Sequence, residues 1–231
     1  MNKQELLVSI KGELIVSCQA RIGWPMYGPE IMAAFAVAAK WGGAKGIRAT
    51  GKENIAAIKS KVDLPLIGIN KQFSDEYEVY ITPTYASAKE ILDEGIEIIA
   101  LDATNRKRPG NETIEEIVKK IRENYPKVLI MGEISTIEEA ERILPLEFDI
   151  ISTTLSGYTK ESKKRSSVDI QLIKDLKAIT DTPIIAEGKI NTESDAISAL
   201  EAGAHAVVVG TSITRPEIIT KRFVDYITNF N

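Results

Sequence analysis

Residues 183–210 read PIIAEGKINTESDAISALEAGAHAVVVG. Two short runs in this stretch, Pro183–Glu187 and Ala206–Gly210, are apolar almost without a break and rich in Ile and Val. Strands buried on both faces of a parallel sheet have that composition. A helix-length segment separates them, so the stretch reads as a βαβ unit. Polar residues and glycine follow each run: Glu187-Gly188-Lys189 after the first, Gly210-Thr211-Ser212 after the second.

The same pattern extends back through the chain. Six further apolar runs read as strands: Leu14–Gln19, Gly46–Ala49, Pro65–Asn70, Ile98–Asp102, Val128–Met131 and Asp149–Thr153. Helical stretches are expected over about 28–42, closed by Gly42-Gly43, and over about 52–62. Another is expected over about 113–124, with Thr113 as N-cap and Glu116 in capping-box position. Ser135 or Thr136 caps the next, and a last helix opens at Pro216 and runs to about Asn229. Eight units in 231 residues predict one closed (β/α)8 barrel, a TIM barrel of about 250 residues in its usual form, spanning 1–231 as a single α/β domain. Length alone would also admit two small domains. Tyr80–Thr84 reads as an edge piece in the third βα connection, since Pro83 cannot sit in a central ladder. The polar, basic loop at 159–168 is expected to be mobile or a lid.

Composition narrows the function. Hydrophobic residues make up 44% and charged residues 27%, ordinary for a globular domain. No apolar run reaches the roughly 20 residues of a membrane helix, and the N-terminus does not read as a signal peptide. Cys18 is the sole cysteine, which suits a cytoplasmic protein, and His205 is the sole histidine. A Cys/His zinc site is therefore not expected. The net charge of −4 argues against a nucleic-acid partner. A small anionic substrate would need local cations.

In such a barrel the active site lies at the C-terminal ends of the strands. That rule selects Gln19, Arg48, Lys71, Asp102, Glu133, Thr153-Thr154, Glu187 and Gly210-Thr211. The loops after strands seven and eight are the usual phosphate site. Gly188 and Gly210 would let backbone N–H groups approach an anion. Arg215 would add a planar fork of donors.

Several segments, in order and at barrel spacing, resemble one family: LIVSCQA at 14–20, GIRA at 46–49, ITPT at 81–84, IALDAT at 99–104, STTLSGYT at 152–159, AEGKIN at 186–191 and ITRPEIITKRF at 213–223. They are similar to the N-acetylmannosamine-6-phosphate 2-epimerases of bacterial sialic-acid catabolism. The resemblance implies an isomerase without a cofactor that interconverts the 6-phosphates of N-acetylmannosamine and N-acetylglucosamine. It implies that Lys71 moves the C2 proton and that Glu187 is its acidic partner. Gln19 and Arg48 would hold the sugar, and Gly188, Gly210, Thr211 and Arg215 the phosphate. Asp102 and Glu133 join them as candidate substrate contacts. A homodimer, through the last helix, is also implied.

The residue types suit the chemistry. C2–H is acidic only beside the aldehyde of the open-chain sugar. A base removes that proton, and the enediolate is reprotonated on its other face. Lysine does this only when neutral, so its pKa must fall from about 10.4 through burial or nearby cations. Reprotonation by the same lysine or by a second acid such as Glu187 both remain open. Three features depart from the family pattern: Asn70 before the lysine, Glu133 where aspartate is usual, and the loop RIGWPMYGPE at 21–30 with its Trp24. Gly132 would make room for the longer Glu133. A Schiff-base aldolase using Lys71 and a sugar-phosphate-binding barrel without turnover are the alternatives. Asp102 and Glu133 as Mg²⁺ ligands are a weaker one. The last helix, with Ile218, Ile219, Phe223, Tyr226, Ile227 and Phe230, either packs on strands one and eight or covers a partner. His205 is expected to be structural, on the side of the barrel away from the site.

Overall fold

The structure is a computed structural model and describes residues 2–230. In chain order the elements are α1 (Lys3–Ile10), β1 (Leu14–Cys18), α2 (Pro29–Trp41), β2 (Gly46–Thr50), α3 (Lys52–Lys59), β3 (Leu66–Ile69), α4 (Tyr85–Leu92), β4 (Ile98–Asp102), α5 (Ile114–Asn124), β5 (Leu129–Glu133), α6 (Ile137–Ile143), β6 (Ile150–Ser152), α7 (Ile170–Ile179), β7 (Ile184–Glu187), α8 (Glu193–Glu201), β8 (Ala206–Val209), α9 (Thr211–Thr214) and α10 (Pro216–Thr228). Each strand pairs in parallel with its neighbour in sequence, and β8 returns to β1 to close the barrel. The expected (β/α)8 architecture is the observed one.

Strand side chains alternate between two cores. Ile15, Ile67, Ile98, Leu129, Ile150, Ile185 and Ala206 fill the barrel interior. Val16, Ile47, Leu66, Ile99, Ile130, Ile151, Ile184 and Val207 face the helices outside. The near-continuous apolar runs are thus the sum of two alternating faces. Entry into the helices is set by capping boxes at Thr84, Thr113, Thr136 and Thr192. Each threonine accepts from the N3 amide, and the N3 side chain answers the cap amide. Of the two residues expected to cap the sixth helix, it is Thr136 that does so.

The helix α1 was not anticipated. Its signal is short but present: Asn2 and Glu5 form a capping box. Leu6 and Ile10 enter the interior core and stopper the N-terminal end of the barrel. His205 lies there too, its Nε2 2.8 Å from the Leu7 carbonyl, which makes its role structural.

One packing expectation is corrected. A Cβ on Gly132 would sit 2.9 Å from Ile143 Cδ1 and 3.0 Å from Phe148 Cδ1. The glycine makes room for the outer core, not for Glu133. Of the last helix, Ile218 and Ile219 are half-buried, while its later apolar residues stand in solvent. No residue of α10 is buried, and Phe223, Val224, Tyr226, Ile227 and Phe230 are exposed. The Tyr80–Thr84 edge piece is visible as an Ile81–Lys71 bridge. It is held by Gln72 N donating to Tyr80 O at 2.9 Å and Thr82 N donating to Asn70 O at 2.9 Å. No helix among the described residues is long and apolar enough to cross a membrane.

Candidate active site

The two-residue period that fills the barrel also builds the site. The inward face runs from Ile15 through Ser17 to Gln19, and from Ile67 through Ile69 to Lys71. On the other strands the same parity brings Arg48, Asp102, Glu133, Thr154, Glu187 and Gly210 to the C-terminal rim.

A cavity of about 490 Å³ opens at this rim. Gln19, Arg48, Lys71, Glu187, Gly188, Gly210, Thr211 and Arg215 all line it. Eight of the ten residues expected from sequence therefore share one space. Glu133 lies just behind the wall and reaches it through Arg48. Arg48 Nη2 is 2.5 Å from Glu133 Oε1, and its Nε is 3.1 Å from Glu187 Oε1. Thr154 Oγ1 lies 3.2 Å from Glu133 Oε1 and 3.3 Å from Glu187 Oε2, closing a ring of four side chains. Nη1 of Arg48 and Oε1 of Gln19 are buried without a protein partner.

Asp102 is not on the cavity lining. Its carboxylate accepts from Thr104 N at 3.0 Å, Thr104 Oγ1 at 2.7 Å and Arg106 Nη2 at 2.6 Å. Each of the two carboxylates weighed as Mg²⁺ ligands thus faces its own arginine. No cluster of three or more His, Cys, Asp or Glu suited to a metal exists among the described residues.

Burial and charge tune the two central groups. Lys71 is lowered to about 8, by desolvation first and by the Arg48 cation second. Glu187 is raised to about 7, by desolvation and by nearby Glu133, against the pull of Arg48 and Lys71. Burial moves the lysine down and the carboxyl up, toward each other, a pattern of sites that move protons.

Asn70 turns outward from the cavity. Its Nδ2 donates to Ser87 O at 3.0 Å and Glu90 Oε2 at 2.7 Å, and its N–H donates to Thr82 Oγ1 at 3.0 Å. With Lys71 N donating to Thr50 Oγ1 at 3.1 Å, it fixes the backbone that carries the lysine.

Sequence reasoning passed over Ser17, Tyr80, Tyr158 and Asn191 as lining residues, and met Arg21, Ser166 and Lys189 only as parts of the 21–30, 159–168 and 187–190 loops. Only Ser17 could have been found by strand parity. The others sit on loops, where no period applies. Gly188 has a φ of 99° and its missing Cβ would lie 3.2 Å from Thr154 O, so a side chain there would strain the backbone and crowd that carbonyl. The 159–168 loop runs beside the cavity, with Ser166 on the lining and Lys160 2.7 Å from Glu78.

A closed barrel whose rim cavity gathers Arg21, Arg48, Lys71, Lys189 and Arg215 beside the glycines of the seventh and eighth loops defines a class: a barrel enzyme for small anionic compounds. Comparison with known proteins sharpens it. Residues 32–229 match the NanE family, described as "Putative N-acetylmannosamine-6-phosphate epimerase". A relative from Caldanaerobacter subterraneus subsp. tengcongensis, named "Putative N-acetylmannosamine-6-phosphate 2-epimerase", is 48% identical over 225 residues, 97% of this chain and 95% of the relative. A similarly named relative from Clostridioides difficile is 48% identical over 95% of this chain and 97% of its own. The solved structure of the N-acetylmannosamine-6-phosphate 2-epimerase from Clostridium perfringens superposes with a TM-score of 0.92, at 47% identity and 96% coverage of both chains. The chain belongs to the N-acetylmannosamine-6-phosphate epimerase family.

Proposed function

We propose that this protein is an isomerase that interconverts N-acetylmannosamine 6-phosphate and N-acetylglucosamine 6-phosphate by removing and returning the proton at C2. The observation that carries the reading is the convergence of Lys71, Arg48 and Glu187 in one cavity with Gly188, Gly210 and Arg215. Neutral Lys71 takes the C2 proton of the open-chain aldehyde. The charge that develops on the enediolate oxygen is met by Arg48, whose buried Nη1 has no protein partner, while Gln19, its Nε2 donating to Ser17 Oγ, offers its free Oε1 to a sugar hydroxyl. Proton return comes from the lysine ammonium or from Glu187, whose raised pKa keeps a large protonated fraction near neutrality. The glycine loops and Arg215 hold the phosphate. Glu133 and Asp102 act from behind the wall: Glu133 by fixing Arg48, Asp102 by anchoring the loop that follows β4.

We further take the chain to be one barrel domain over 1–231, cytoplasmic, and a homodimer. The exposed Phe223, Tyr226 and Ile227 on α10, with Phe230 just beyond its end, support the dimer, since exposed apolar surface of this kind marks association sites.

Incubation with N-acetylmannosamine 6-phosphate in D₂O, followed by proton NMR, tests the reaction. Conversion with deuterium at C2, abolished in Lys71→Ala, is the expected result. Conversion without exchange, or exchange that survives Lys71→Ala, overturns it. Borohydride trapping of a covalent adduct would instead support a Schiff-base reaction at Lys71.

A further inference from the structure

The loop at 21–30 carries a feature that the catalytic reading leaves unused. The Arg215 guanidinium lies over the Trp24 ring, 3.8 Å from its centroid. Arg21 lies over the same ring at 5.5 Å and over the Phe73 ring at 4.4 Å. Phe73 in turn stacks on Tyr80 at 5.1 Å, with an interplanar angle of 19°. Arg21, Trp24, Tyr80 and Arg215 all line the cavity. The result is a continuous ladder of rings and guanidiniums along the mouth.

We propose that Trp24 is a positioning residue for Arg215, and that Arg21, held by Trp24 and Phe73, is a second guanidinium for the phosphate of a phosphomonoester in this cavity. The inference rests on the phosphate site described above and adds two residues to it. A free arginine gives up considerable side-chain freedom when it grips an anion. Stacking on an indole face removes that freedom beforehand. Arg215 Nε is also taken by Glu217 Oε1 at 2.7 Å, which leaves the two Nη groups as a fork for phosphate oxygens. The two arginines repel one another, and a dianion relieves that repulsion. The Arg21 charge is felt at Lys71, whose ammonium it disfavours, so the same residue that receives the phosphate helps keep the base neutral.

The experiment uses the full chain with Trp41→Phe, since Trp41 is exposed and the chain has two tryptophans. Trp24 then reports alone. Titration with inorganic phosphate should change its emission saturably, and Arg21→Gln should weaken that binding about fivefold. Trp24→Ala should raise KM for the sugar phosphate and Ki for inorganic phosphate together, by about tenfold, with kcat within about twofold. Trp24→Phe should restore most of both. Silent emission at inhibitory phosphate concentrations, no rescue by phenylalanine, or a fall in kcat with Ki unchanged overturns the proposal. A saturable emission change without sugar conversion sinks the epimerase reading and leaves the clamp. Conversion with silent emission sinks the clamp alone.

Discussion

Glu133 Oε1 lies 2.5 Å from Arg48 Nη2, and neither side chain reaches solvent. The same arginine faces Glu187 at 3.1 Å, so one buried cation serves two carboxylates. Thr154 is within reach of both but has one hydroxyl proton to give. The ring balances when Glu187 takes up a proton, the direction in which its desolvation already pushes it. Removing the cation should be severe. Arg48→Met is expected to cost about 3–5 kcal/mol of folding stability, since it strands two buried carboxylates. Urea unfolding of the variant measures this, and a cost below about 1 kcal/mol would show that the ring does not hold the rim together.

The rate should follow the free amine of Lys71. Burial and Arg48 disfavour the ammonium, which lowers the pKa from 10.5 to about 8. Activity is then expected to rise about tenfold per pH unit below about pH 8, and above it to level where the lysine ammonium returns the proton or to fall where Glu187 returns it. The profile of kcat/KM against pH checks this, and a limb near pH 10 would mean the lysine is unperturbed.

Glu133→Gln should move that limb. The Glu133 charge raises both Lys71 and Glu187, so its removal lowers both. The acid limb is expected to slide below pH 8. An upward displacement would mean that Glu133 acts through something other than its charge.

Gly132→Ala separates packing from chemistry. The new methyl would press on Ile143 and Phe148, outside the barrel. A loss of about 1–3 kcal/mol in stability is expected, with the C2 exchange rate per folded molecule unchanged. Paired calorimetry and exchange kinetics decide it.

Phe223→Glu together with Tyr226→Glu places charge on the exposed row of α10. Sedimentation should show a dimer for the parent chain and a monomer for the double variant. A dimer that survives both charges assigns the contact to another face.

The barrel was legible in the chain because burial on two faces forces eight apolar runs, and each run ends where its helix caps. The rim was legible for a related reason. Parity continues past a strand's last hydrogen bond, so Lys71 follows from Ile67 and Ile69. Loops obey no such period, which is why Arg21, Tyr80 and Tyr158 escaped notice. Asn70 stood out in the chain only as a departure before the lysine; its face had to be known before it could be seen as a clasp on the 82–90 segment. Asp102 has the right parity and position, yet Thr104 and Arg106 occupy it. Competition for a side chain by nearby residues leaves no trace in an apolar pattern. The short helix α1 was overlooked because eight residues carry little periodicity.

That helix has a consequence for traffic. With Leu6 and Ile10 seated in the interior core, the barrel is a cup with a floor and no rear exit. Whatever enters over Trp24 and Tyr158 must leave by the same route before another molecule arrives. Each sugar phosphate should therefore block the other's entry one for one. The two directions of the reaction would then meet in a single queue at a single door.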